Sequence, residues 1–85
     1  MGDAPNITVA SIDKAKGSEV RVVLSTFKDQ RLVDLRVYVE FGAANTPMPT
    51  KRGISLRAEL IPELRIALEA AELKAIEMGW IGGAA

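Results

Sequence analysis

The chain of 85 residues contains no histidine and no cysteine. That removes the commonest general base, the thiolate nucleophile and the usual zinc and soft-metal ligands together. Carboxylates, lysines, hydroxyls and the single tyrosine, Tyr38, are left. Asp34 and Glu40 share one side of a strand pattern, but their spacing in sequence puts them about 20 Å apart along an extended chain. Paired-carboxylate chemistry needs a separation of about 5–9.5 Å. Lys51-Arg52-Gly53-Ile54-Ser55 has neither the order nor the leading glycine of a phosphate loop. The glutamates of the last third read as the solvated face of a helix. No catalytic, metal-binding or cofactor-binding set emerges, and neither an enzyme nor a small-molecule substrate is expected.

A different constellation has more to offer. Arg21 and Phe27 fall on one side of one strand pattern, and Arg36 and Tyr38 on one side of the next. Lys28 sits in the connection between them, and Lys51-Arg52 is expected to fold over the same end. Cations beside exposed rings suit an unpaired polynucleotide: charge meets phosphates, and ring faces receive unstacked bases at about 1–3 kcal/mol each. Each residue also has a purely structural reading. Phe27 can pack at a strand end, Tyr38 can cap the core edge with its hydroxyl outward, and Arg36 can form an ordinary surface pair with Asp34.

The net charge is zero, but it is unevenly spread. Residues 14–57 carry nine basic side chains against four acidic ones. The segments on either side, 1–13 and 58–85, are net acidic. A local positive field can therefore exist without a basic protein.

The elements that must position these residues follow from periodicity. Glu19 to Phe27 alternates with period two, and so does Arg31 to Phe41, where Val33, Leu35, Val37, Val39 and Phe41 form an unbroken apolar side. Such alternation predicts strands with one buried and one wet face. Lys28-Asp29-Gln30 has hairpin length. Gly42 to Asn45 reads as a turn. Thr46 to Thr50 carries two prolines and fits only an edge strand or a loop. Lys51-Arg52-Gly53 reads as a basic turn, and Ile54 to Leu56 as a short return strand. From Ala58 to about Met78 strong helix formers dominate, with Pro62 tolerated near the start and Gly79 as a stop.

The helix has two apolar stripes. One runs through Ile61, Leu64, Leu68, Ala71, Ala75 and Met78. The other runs through Ile66, Ala70, Leu73, Ile76 and Trp80. One sheet covers one stripe, so a second copy of the chain is the expected cover for the other. A chain this short is marginal alone, which also favours a homodimer. The organisation expected is an N-terminal arm over 1–18, extended around Ile7 to Ile12, a domain over 19–78 and a loose tail over 79–85. No stretch is long and apolar enough to span a membrane. The first residues lack a signal-peptide pattern, so a cytoplasmic protein is expected, nucleoid-associated if bacterial and nuclear if eukaryotic.

The blocks Leu32-Val33-Asp34-Leu35-Arg36-Val37-Tyr38 and Lys51-Arg52-Gly53-Ile54-Ser55-Leu56, preceded by Phe27-Lys28 and followed by a long helix, resemble the positive cofactor four family of transcriptional coactivators. The resemblance runs from about Glu19 to Leu68. It implies an α+β fold: a four-stranded antiparallel curved sheet followed by one long C-terminal helix, dimerising through that helix. It also implies binding of single-stranded DNA with little sequence preference, in transcription or DNA maintenance. By position Phe27 looks like the family's stacking ring, Arg36 like its phosphate-meeting arginine and Lys51-Arg52 like its basic pair. Gly53 looks like the glycine that lets backbone come close. The sequence departs from strong binders of the family at Ser25, where a basic residue is usual, and at Val39, where an aromatic is usual. The same fold used on RNA, and an assembly module without nucleic acid, are the alternatives.

Overall fold

Alternation from Ser18 to Glu40 builds the centre of the sheet. The structure, a computed structural model, describes residues 6–42 and 46–83. It contains β1 (Ile7–Ala15), β2 (Ser18–Phe27), β3 (Gln30–Glu40) and β4 (Pro47–Arg57), then a 3₁₀ turn (Ala58–Leu60) and one helix, α1 (Ile61–Glu77). The sheet is open and antiparallel, in the order β1-β2-β3-β4. This is the expected α+β arrangement of four strands and a C-terminal helix. Residues 1–5 of the expected arm, 43–45 of the expected turn and 84–85 of the expected tail lie outside the described residues.

The strands differ from expectation in two places. Residues 7–15, read as part of an arm, form a complete edge strand paired along β2 from Ile7↔Leu24 to Ala15↔Ser18. Lys51-Arg52-Gly53 is not a turn: the segments on both sides of it are one strand, β4. Pro47 and Pro49 are accommodated because β4 is the outer strand, where a missing N–H need not break a ladder. The register shifts between Arg36↔Gly53 and Tyr38↔Pro49. Thr50, Lys51 and Arg52 therefore stand opposite Val37 alone, as a bulge within a continuous strand.

β2 and β3 are joined by Lys28 and Asp29, both with positive φ, 51° and 65°. A two-residue connection with both residues left-handed matches the right-handed twist of the strands. It places two L-residues in a conformation that favours glycine. The lysine is thereby projected at the tip of the hairpin, next to Phe27.

α1 begins with Pro62 in its first turn, where a missing N–H is harmless. It ends at Gly79, whose φ of 77° lets Trp80 N–H donate to the Ala75 carbonyl at 2.9 Å and Gly79 N–H donate to the Ile76 carbonyl at 3.0 Å. These two bonds close the last turn. The helix buries none of its residues. Ile61, Leu64, Arg65 and Leu68 line a groove of about 370 Å³ with Val9, Val22, Leu24, Val33 and Leu35 of the sheet.

Among the described residues Val23 and Val33 are the buried apolar ones. The chain exposes 6915 Å². A compact monomer of 9.1 kDa exposes about 4,900 Å². Its radius of gyration, 15.5 Å, likewise exceeds the roughly 12 Å of a compact domain of this length.

Candidate nucleic-acid interface

The polar side of the sheet collects most of the residues singled out by sequence. Register makes Arg21 and Arg36 direct cross-strand partners, and Glu19 and Tyr38 the next pair. The Arg21 guanidinium lies 4.5 Å above the Tyr38 ring centre. At that distance the cation is attracted to the ring's negative face. One face of Tyr38 is therefore covered.

Phe27 and Lys28 lie at the far end of β2. Phe27 lies six positions beyond Arg21, about 20 Å of strand. Phe27 is 56 % exposed, so its ring is not packed into a core. Lys28 Nζ stands 5.3 Å from its centre. Lys51 and Arg52 do not fold over this end, contrary to the sequence-based expectation. β4 runs on past β3, so its bulge carries them to Val37, next to Arg36 and the Arg21–Tyr38 pair. The polar side thus has Phe27 and Lys28 at one end and the Arg21–Tyr38 pair at the other, with Lys51 and Arg52 on the neighbouring edge strand opposite Val37.

Both strand arginines are neutralised in place. Arg21 Nε donates to the Glu19 carboxylate. Arg36 makes a two-pronged bond to Asp34, Nε to Oδ2 at 2.9 Å and Nη2 to Oδ1 at 2.8 Å. The Ser55 hydroxyl, from the residue paired with Asp34 in the register, donates to Oδ1 at 2.6 Å. The arginine's hydrogen bond, with help from Ser55 and from the opposite charge, holds the Asp34 carboxyl below its ordinary range, against a smaller opposing effect of burial. The same carboxylate raises the Arg36 pKa further.

Arg36 does more than pair. Its Nη1 donates to the Thr50 carbonyl at 3.0 Å, at the start of the bulge. The Thr50 hydroxyl donates to the Val37 carbonyl at 2.8 Å and accepts from Arg52 N–H at 3.2 Å. The bulge is pinned from both sides, and its exposed cations, Lys51 and Arg52, form no ion pair among the described residues. Gly53, across from Arg36, permits the approach of the two strands. A Cβ there would stand 2.4 Å from the Leu35 carbonyl oxygen and 2.8 Å from Arg36 Cα.

Sequence reasoning missed Thr50 and Ser55 as members of this site. Both act through register with β3, and the bulge that brings Thr50 to Arg36 has no local signature. No group of histidine, cysteine or acidic residues able to hold a metal occurs among the described residues. No described helix is long and apolar enough to cross a membrane.

The model of the family described as Transcriptional Coactivator p15 (PC4) matches residues 14–67. Among solved structures, the chain is similar to a PC4 homolog from Burkholderia pseudomallei in its orthorhombic crystal form. The two are 28 % identical with a TM-score of 0.73, over 79 % of this chain and 89 % of that one. The tetragonal form of the same homolog gives a TM-score of 0.71 at 28 % identity, over 80 % of this chain and 98 % of that one. A bacteriophage T5 homolog of the eukaryotic coactivator PC4, implicated in recombination-dependent DNA replication, shares the fold. It is 22 % identical with a TM-score of 0.53, over 93 % of this chain and 82 % of that one. No curated protein sequence matches the chain.

Proposed function

The chain belongs to the Transcriptional Coactivator p15 (PC4) family, and from that premise we propose that it is a homodimeric, non-enzymatic module that binds single-stranded DNA with little sequence preference. Its role is in transcription or DNA maintenance. The binding surface is the polar side of the sheet, with Arg21, Phe27, Lys28, Arg36, Tyr38, Lys51, Arg52 and Gly53. The observation that carries this reading is the exposed Phe27 ring beside Lys28, on the same sheet as the unpaired Lys51 and Arg52. A ring face takes a base, and cations about 20 Å along the strands take phosphates further on.

The dimer is supported by what one chain leaves uncovered. The surface excess over a compact monomer is about 2,000 Å². Two such surfaces brought together fall in the range of obligate homodimers, about 2,000–5,000 Å² in total. Leu73, Ile66 and Trp80 are 63, 58 and 73 % exposed along the helix and just beyond it. An open apolar groove beside that helix is foreign to close-packed interiors and is filled by the second copy.

A titration of labelled single-stranded oligonucleotide against the full chain over a series of salt concentrations tests the function. Binding that weakens linearly in log–log form with salt is expected. Failure to bind at low salt removes the proposal. Competition by a matched RNA strand as strong as that by DNA would move the assignment to RNA, since stacking and phosphate contact tolerate either sugar.

A further inference from the structure

The two kinds of cation on the polar side differ in one respect that bears on how a strand is held. Lys28, Lys51 and Arg52 are exposed and form no ion pair among the described residues. Arg36 is engaged by three partner atoms, Asp34 Oδ1, Asp34 Oδ2 and the Thr50 carbonyl oxygen. The side chains of Arg36 and Asp34 are only 23 and 15 % exposed, and Ser55 fixes the carboxylate from the next strand. Three of the five guanidinium N–H groups are thus used within the protein.

An arginine already neutralised by a carboxylate has little charge left to neutralise a phosphate, and so releases few of the counterions condensed on the strand. Breaking the pair to free it would strand a half-buried carboxylate, which is unfavourable. Its third bond, meanwhile, ends on the residue that opens the bulge. From this network we infer that Arg36 is a positioning residue, which with Asp34 braces the Thr50–Arg52 bulge so that Lys51 and Arg52, together with Lys28, supply the charge that neutralises phosphates. The inference rests on the function proposed above and assigns its parts: Asp34, Arg36, Ser55 and Thr50 fix shape, and the unpaired cations carry the salt dependence.

The slope of log affinity against log salt separates these roles, because each phosphate neutralised on a single strand contributes about 0.7 to it. The probe is a labelled single-stranded oligothymidylate, bound to the full chain. Lys51→Gln and Arg52→Gln are each expected to flatten the slope by about 0.7. The charge-conserving double substitution Asp34→Asn with Arg36→Gln is expected to lower affinity by the same factor at every salt concentration, leaving the slope parallel to that of the unsubstituted chain. Asp34→Asn alone, nearly identical in shape and able to keep the Ser55 hydroxyl as a partner, unmasks a charge and is expected to steepen the slope by about 0.7. If the double substitution flattens the slope as Lys51→Gln does, Arg36 meets a phosphate itself and the assignment is overturned. An unsubstituted chain that binds nothing overturns the proposed function instead, and this assignment with it.

Discussion

The polar side of the sheet and the C-terminal helix are finished to different degrees within one chain. On the sheet, Asp34, Arg36, Ser55, Thr50 and Val37 close a hydrogen-bonded circuit across β3 and β4, and Arg21 rests on Tyr38. The helix is regular and well terminated, yet buries none of its 17 residues. The polar surface needs nothing but its own strands to take shape. The helix has local reasons to be a helix, and lacks the packing that supplies most helical stability in a small protein. The strands fix the polar geometry by themselves, whereas the apolar surface of the helix is left uncovered within one chain.

Leu73→Glu breaks this comparison most severely. In a monomer, an exposed leucine on a helix can become glutamate at a cost of about 0.5 kcal/mol or less. In the proposed dimer the carboxylate would be buried, and a loss of more than about 3 kcal/mol is expected. Sedimentation should then show the mass halved, with thermal stability no longer dependent on protein concentration. An unchanged mass and melting temperature would put the helix in solvent.

Gly53→Ala tests the sheet's self-sufficiency. The new methyl meets backbone atoms of β3, which cannot swing aside as a side chain would. A destabilisation of about 1–3 kcal/mol is expected in thermal or urea unfolding, with loss of the bulge geometry that presents Lys51 and Arg52. Phe27→Ala sharpens the contrast from the other direction. Its ring is exposed, so stability should change by no more than about 0.5 kcal/mol, whereas binding of a single strand should weaken by about 1–3 kcal/mol.

The smallest effect is with pH. Arg36 and Ser55 favour the ionised Asp34, so its folded pKa lies below the unfolded value of about 3.9. The stability this contributes is fully present above the unfolded pKa. It is lost as pH falls through the lower folded pKa. Acid unfolding curves of the unsubstituted chain and Asp34→Asn should therefore converge below that range and separate above it.

Much of this arrangement could be read in the sequence, for identifiable reasons. β2 and β3 were legible because Val33, Leu35, Val37 and Val39 sit on one side without interruption. The helix was legible from its composition, and its two stripes already asked for two partners. β1 was harder: Ile7, Ala10 and Ile12 pair with Leu24, Val22 and Val20 only because the register slips between Thr8 and Ala10, and a second slip at Asp13/Ala15 breaks the simple alternation again. β4 was misread as two pieces because Lys51-Arg52-Gly53 reads as a turn, whereas the structure carries it within one edge strand beside a bulge. The Asp34–Arg36 pair could be seen from spacing along one strand. The parts played by Ser55 and Thr50 could not, because they come from the neighbouring strand through a register that a bulge has shifted.

The central claim is that the polar side of the sheet holds an unpaired strand while the helix holds a second copy. Mapping backbone amide shifts as a short single-stranded oligonucleotide is added reads both regions at once. The result expected is a continuous set of perturbed amides through Arg21, Phe27, Lys28, Arg36, Tyr38 and Lys51–Gly53, with Ile66 and Leu73 unmoved. Perturbations confined to α1, or none at low salt, would contradict it.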